Sequence, residues 1–166
     1  MSIDFTRTRY AEPDDSLGYL LHQLASLWRR QMNARLAEIG LTHTQFIFLI
    51  GLAWLAQDGA EITQKDLGHY HKASRALTSR VVRLLERNGL VVQTVKSDDA
   101  RARKLTITKE GARRLKLALP ILDRTEDVFL AEHPALKQRI KRDLRAALLQ
   151  ENKRQLQAGP DDDLEP

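Results

Sequence analysis

Apolar residues recur at helical spacing near both ends of the chain and predict two amphipathic helices there. The first helix begins after Ser16, a residue type that caps helices, and ends at Gly40. The two apolar stripes consist of Leu17, Leu20, Leu21, Leu24 and Leu27 near the N-terminus and of Leu136, Ile140, Leu144 and Leu148 near the C-terminus. A stripe made almost entirely of leucine suits a partner helix, and an ordinary core helix is the alternative interpretation.

The segment 42–55 is apolar on nearly every side and predicts a helix at the centre of the fold. Thr42 and Gln45 have the spacing of a capping box at the start of this helix, and Asp58-Gly59 marks a turn after its end. Ile62 is a candidate for a short strand that follows the turn.

Two further helices begin at residues that commonly cap helices. Thr63 predicts a short helix that ends near Tyr70, and Ser74 predicts a longer one that closes at Asn88-Gly89. The segments 90–95 and 104–108 then have the apolar, alternating character of strands. The polar, charged stretch 96–103 joins them as the tip of a hairpin.

After the hairpin, Thr108 is placed to cap another long helix. Pro120 lies inside this helix and predicts a kink, because proline removes a backbone donor. The helix breaks near His133-Pro134, where the last helix begins. This order of elements predicts a mainly α fold with a small β-hairpin wing, in the α+β class, whose centre is a winged helix-turn-helix.

Positive charge is concentrated in the middle of the chain. Residues 72–116 contain 13 Lys/Arg against 4 Asp/Glu, whereas the segments on either side are each slightly acidic and the whole chain carries +5. A basic block between acidic flanks favours contact with a polyanion, and a solvated basic surface is the alternative.

Composition and motifs exclude several classes of protein. The chain contains no cysteine, so disulfides and cysteine-ligated zinc are excluded. No apolar run approaches the roughly 20 residues of a membrane span, and the N-terminus lacks a signal peptide, which predicts a cytoplasmic protein. No catalytic constellation appears, so we expect no enzyme activity. Asp66, His69 and His71 form the only local cluster of metal-ligand types, and their spacing does not favour a metal site.

The helix that begins at Ser74 has the properties of a DNA recognition helix. Leu77, Val81, Leu84 and Leu85 fall on one side of it, while arginines and small polar residues occupy the opposite side and the flanks. Small polar groups and arginine fit a major groove, where arginine bonds guanine with two donors. The predicted DNA contacts are Ser74, Arg75, Thr78, Ser79, Arg80 and Arg83 on the helix, with Arg101 and Arg103 at the hairpin tip.

The stretch 62–108 resembles the winged-helix domain of MarR/SlyA-type bacterial transcription regulators. The matching motifs are LLERNGLV at 84–91 and DARARKLTIT at 99–108, and the segments LWRR at 27–30 and LTHTQF at 41–46 resemble the SlyA branch. By element order the resemblance covers about residues 16–155. The start of the recognition helix, from Ser74 to Leu77, departs from the family, so no sequence preference is transferred.

The resemblance implies a homodimer that binds double-stranded DNA at a palindromic promoter site. Its helical dimerisation region would combine 16–41 with 109–156 and use the two leucine stripes, and 42–108 would form the DNA-binding domain. The N-terminal arm 1–15 and a disordered acidic tail 157–166 lie outside this frame. Arg101 would enter the minor groove, with Asp99 as the acid that orients it.

A small phenolic or aromatic acid is the effector that the resemblance implies, and no other cofactor is expected. Trp28, Met32, Phe46 and Ile50 are the candidates to line its crevice, although apolar residues at helical spacing favour plain core packing for all four. For the function itself, the alternative is a nucleoid-type DNA-binding protein of low sequence specificity that acts by coating or anti-silencing. Either protein would be associated with the bacterial nucleoid.

Overall fold

The computed structural model of the chain describes residues 9–10, 12–95 and 103–158. It contains the elements α1 (Leu17–Leu36), α2 (His43–Leu55), α3 (Gln64–His71), α4 (Arg75–Arg87), β1 (Val91–Val95), β2 (Arg103–Ile107), α5 (Lys109–Val128) and α6 (Pro134–Ala158). Short 3₁₀ turns at Pro13–Asp15 and Ala37–Ile39 flank α1. The predicted mainly α fold with a two-stranded wing is confirmed.

Helices begin where the sequence places capping side chains. The Thr42 hydroxyl accepts a hydrogen bond from the Gln45 backbone at 3.2 Å, and the Gln45 side chain accepts one from the Thr42 backbone at 2.9 Å. Ser74 and Thr108 accept from the third residue of their helices in the same way. These bonds satisfy amide groups that a helix start leaves unpaired, so they fix where each helix begins.

The hydrophobic core is built around α2, as its all-round apolar sequence predicts. Phe46, Leu49 and Leu52 of this helix are buried and pack with Met32 of α1 and Leu85 of α4. The same helix contacts α1, α3, α4, α5 and β2. The core therefore joins the long helices α1 and α5 to the winged helix-turn-helix through α2.

The hairpin is held against the start of α5. The strands pair antiparallel from Val91 opposite Ile107 to Val95 opposite Arg103. Leu90, predicted as the first strand residue, instead bonds its backbone amide to the Leu85 carbonyl at 2.9 Å and closes α4. A Cβ at Gly111 would overlap the Leu90 carbonyl oxygen, so only glycine allows the first turn of α5 to approach this closely.

The C-terminal helices follow the prediction except at the end of α6. Helix α5 runs through Pro120 to Val128, as predicted, whereas α6 extends to Ala158, two residues into the segment 157–166 predicted as a tail. Residues 159–166 and most of the predicted arm lie outside the described residues. The division of the chain into domains stays a prediction.

The leucine stripes lie largely on the surface of the single chain. Leu17 is 70% exposed and Leu148 is 61% exposed, and Leu20, Leu21, Leu27 and Leu144 are exposed as well. Leu24, Leu136 and Ile140 are half-buried. Core packing within one chain therefore does not explain the two stripes.

No single helix among the described residues has both the length and the apolar composition to cross a membrane. Leu17–Ile39 and His43–Leu55 reach that composition only as a pair, which is bent by 81°.

Candidate nucleic-acid interface

Helices α3 and α4 meet in a helix-turn-helix whose turn is set by backbone conformation. Lys72 adopts the left-handed region at φ 49°, and the Ala73 amide then donates to the Gly68 carbonyl at 3.0 Å. A Cβ at Gly68 would stand 3.0 Å from the Thr78 hydroxyl oxygen. The missing side chain at residue 68 thus lets α4 cross closely over α3.

One side of α4 is buried and the other carries exposed arginines. Thr78, Val81, Val82 and Leu85 are buried against the core. The exposed side consists of Arg75, Ala76, Arg80, Arg83, Glu86 and Arg87, with Ser79 half-buried beside them. The structure therefore directs the arginine-bearing side of this helix outward.

The prediction that Thr78 contacts DNA is wrong. Thr78 is 2% exposed, and its hydroxyl donates to the Ser74 carbonyl at 3.0 Å. The side chain lies one turn before Val81 and Val82, which places it on the buried side of α4 rather than on its flank. Ser74 is exposed, and its hydroxyl caps α4 by accepting from the Leu77 amide at 3.3 Å.

Arg87 also belongs to the exposed arginine set, although it is not among the predicted DNA contacts. Arg87 lies four residues after Arg83, and residues at that spacing share one face of a helix. Within the described residues, none of the exposed arginines of α4 forms an ion pair with a carboxylate. Arg83 instead donates from Nε to the Ser79 carbonyl of its own helix at 3.3 Å. Their positive charges therefore remain available to an outside anion.

The wing is fastened to the segment that precedes α3. The Leu105 amide donates to the Ile62 carbonyl at 2.7 Å, and the predicted strand at Ile62 is reduced to one bridge between Thr63 and Lys104. The Lys104 ammonium also contacts the Glu61 carboxylate at 2.5 Å. Arg103 is exposed at the outer end of β2, whereas Asp99 and Arg101 lie outside the described residues and stay predictions.

Three polar side chains connect the wing to both helices of the motif. Gln64 at the start of α3 donates to the Gln93 side-chain oxygen at 2.9 Å. The Gln93 side-chain nitrogen donates in turn to the Glu86 carboxylate of α4 at 3.0 Å. The sequence carries no local signal for this chain of hydrogen bonds, because Gln64 and Gln93 are 29 residues apart.

Two of the four residues predicted to line an effector crevice belong to the core. Met32 and Phe46 are 0% and 1% exposed, so this part of the prediction is wrong for the described chain. Trp28 is half-buried and meets Phe129 edge to face, with ring centroids 5.1 Å apart. Ile50 is half-buried against the core. Trp28 and Ile50 stay predictions.

An open groove lies elsewhere, between the end of α1, the start of α2 and the flank of α4. Its volume is about 680 Å³, and Asn33, Thr42, Arg80 and Leu84 are among the residues that line it.

Asp66 and His71, two of the three residues in the local cluster with His69, contact other parts of the protein. The Asp66 carboxylate caps α3 by accepting from the Thr63 amide at 2.9 Å. The His71 ring stacks on Phe48 with centroids 4.6 Å apart, and its burial lowers the pKa of this imidazole. In the described part of the chain, no three such side chains are placed to hold one metal ion together.

The chain is similar in sequence and structure to known regulators. It is 32% identical over 124 residues to the uncharacterized HTH-type transcriptional regulator YdcH of Bacillus subtilis, covering 75% of this chain and 84% of that protein. A probable transcriptional regulator from Pseudomonas aeruginosa superposes with a TM-score of 0.71 at 25% identity, covering 82% of this chain and 99% of the other. No protein-family model matches.

The crystal structure of MarR shares this fold as well. It superposes with a TM-score of 0.71 at 21% identity and covers 90% of this chain and 99% of that chain. These relatives are transcriptional regulators and not enzymes, which confirms the prediction that the chain has no enzyme activity. With its exposed arginine helix and its wing, the chain is a DNA-binding transcriptional regulator and belongs to the MarR family of HTH-type regulators.

Proposed function

We propose that the protein is a homodimer that binds a palindromic promoter site and controls transcription by occupying it. The observation that carries this proposal is the outward side of α4, where Arg75, Arg80 and Arg83 are exposed and free of carboxylate partners among the described residues. Ala76 on the same side is small enough to let the helix enter a major groove. The arginines would bond guanine there.

The exposed leucines of α1 and α6 support pairing with a second copy of the chain. Large apolar side chains at helical spacing are costly to leave in water, and a symmetric partner covers the same stripe on both subunits. A two-fold axis would place the two α4 helices in successive major grooves. Half-sites would then lie about 10 bp apart, centre to centre.

Relatives provide further support for occupancy of a promoter. MepR of Staphylococcus aureus, which shares the fold at 22% identity, was solved as a complex with DNA. The HTH-type transcriptional repressor Rv2887 of Mycobacterium tuberculosis is 26% identical over 126 residues, which cover 76% of this chain and 88% of that protein. We therefore propose to test repression of transcription before activation.

Selection of bound duplexes from a random pool tests the proposal. We expect an enriched palindrome and an affinity for it at least about a thousandfold above that for scrambled DNA at physiological salt. Equal affinity for all duplexes, falling steeply with salt, would contradict sequence-specific control and would favour a nucleoid-type protein. A tagged chain should be found in the cytoplasm, at the nucleoid.

A small aromatic acid is proposed as the effector that releases DNA. CouR from Rhodococcus jostii, similar in fold at 24% identity, was crystallised with p-coumaroyl-CoA. Trp28 and Ile50 are half-buried on α1 and α2, where a ligand would touch both the dimerisation helices and the DNA-binding domain. Salicylate should raise the melting temperature and release a bound duplex, and its failure to do either would count against this role.

A further inference from the structure

We propose that Gln93 is a positioning residue of the DNA interface, which holds the Glu86 carboxylate toward the wing and so leaves Arg83 free to contact DNA. The inference rests on the proposed reading of DNA by α4. Gln93 lies on β1 of the wing, carries no charge and does not belong to the exposed arginine set.

The strand register explains why Gln93 reaches α4. Val91 and Gln93 lie on the same face of β1, because side chains two residues apart point the same way. Val91 is buried on that face, and Gln93 is half-buried beside it. Thr94, one residue further on, is exposed on the opposite face.

The Gln93 amide uses both of its ends. Its oxygen accepts from Gln64 at 2.9 Å and its nitrogen donates to Glu86 at 3.0 Å, so one side chain ties β1 to α3 and to α4. On the other strand, the hairpin is held by the backbone bond between Leu105 and Ile62. The wing is thus fixed to the motif from both of its strands.

The orientation of Glu86 matters because this acid stands among the arginines. Arg83 and Glu86 are three residues apart, a spacing at which opposite charges on a helix pair with each other. Such a pair would neutralise Arg83 and direct a carboxylate toward DNA phosphates. In the structure Glu86 is bonded to Gln93 instead, and Arg83 donates to the Ser79 carbonyl.

Exchange of the side chains at positions 93 and 86, in two steps, tests this role. Gln93→Glu replaces the donor to Glu86 by a second carboxylate, which repels it, whereas Gln64 still finds an acceptor. Adding Glu86→Gln restores one donor and one acceptor between the two positions. Thr94→Glu is the matched control, because it adds the same charge to the opposite face of the same strand.

The readout is a specificity ratio. It is the affinity for the best duplex that the wild-type chain selects, divided by the affinity for a scrambled duplex of equal composition. We expect Q93E to lower this ratio about tenfold, and Q93E/E86Q to recover to within about threefold of wild type. T94E should lower both affinities together and leave the ratio within about twofold. If Q93E does not fold, Q93M removes both hydrogen bonds without adding charge and should lower the ratio in the same direction.

An unchanged ratio in Q93E, or a loss that E86Q does not recover, would overturn the role of Gln93. A loss of the ratio in T94E equal to that in Q93E would also overturn it, since charge alone would then be the cause. A wild-type chain with no preferred duplex would instead contradict the proposed function, so the two failures are distinguishable.

Discussion

Gly68 of α3 faces Thr78 of α4 so closely that a methyl group at residue 68 would stand 3.0 Å from the threonine hydroxyl oxygen. This close contact sets the distance between α4 and α3, and therefore how far the arginine side of α4 projects from the surface. The position of the recognition helix depends on the absence of one side chain in the preceding helix.

Replacing Gly68 by valine should therefore destabilise the fold. A Cβ at residue 68 would already stand 3.0 Å from the Thr78 hydroxyl oxygen, tighter than an ordinary contact, and valine adds two methyl groups beyond it. Overpacking of this kind costs about 1–3 kcal/mol. Gly18→Val is the matched control, because a Cβ at Gly18 would meet only the Ser16 hydroxyl oxygen, at 3.8 Å. Urea unfolding measures both, and equal midpoints for the two variants would show that the close approach at Gly68 is unimportant.

Replacing Arg83 by alanine should weaken binding to the selected duplex by about 1–3 kcal/mol, provided that its guanidinium bonds a base. Stability should change little, since the side chain is exposed. Lys116→Ala on α5 also removes one exposed positive charge and serves as the control. Fluorescence anisotropy with labelled duplexes gives the affinities, and an equal loss in the control would assign the effect to net charge.

Thr78→Val should lower stability by about 1 kcal/mol, because the Ser74 carbonyl loses its hydroxyl donor inside the protein. The affinity for DNA at a fixed salt concentration should stay that of wild type, since the buried threonine is not in reach of DNA. Chemical unfolding and fluorescence anisotropy with a labelled duplex separate the two effects. A weaker affinity with unchanged stability would return Thr78 to the DNA surface.

Glu110 should make folding stability depend on acid pH. Hydrogen bonds from Arg113, and then from Arg114, hold the pKa of this carboxyl down at about 2, well below its usual 4.5. The stabilisation is therefore present above about pH 4.5 and is lost as the pH falls toward 2. Glu110→Gln should flatten this part of the melting-temperature profile. Identical profiles for the variant and the wild type would show that the pairing contributes nothing to stability.

The sequence was sufficient to predict features that local chemistry determines. The capping pair Thr42 and Gln45 and the cap Ser74 fixed helix starts, because their hydrogen bonds reach only three residues along the chain. The prediction for Thr78 is wrong because Thr78 lies at the flank of α4, and the sequence of one helix does not decide whether a flank residue is buried or exposed. Thr78 is buried by packing against Gly68, which belongs to another helix.

Features that depend on tertiary contacts were beyond the sequence. The sequence does not separate a crevice from a core at Met32 and Phe46, because apolar residues that line a cavity and those that fill a core have the same spacing. The bond between Gln64 and Gln93 joins residues that only the folded hairpin brings together. Neither the burial of Met32 and Phe46 nor the bond between Gln64 and Gln93 can be predicted from periodicity or composition.

The central claim is that the arginine side of α4 enters the major groove twice, once from each subunit of a symmetric pair. Protection of guanine N7 from methylation on the selected duplex tests it most directly, because N7 lies in the major groove. We predict two protected patches about 10 bp apart, both weakened together in the Arg83→Ala variant at the same protein concentration. A single patch, or unprotected guanines throughout a bound duplex, would contradict the claim.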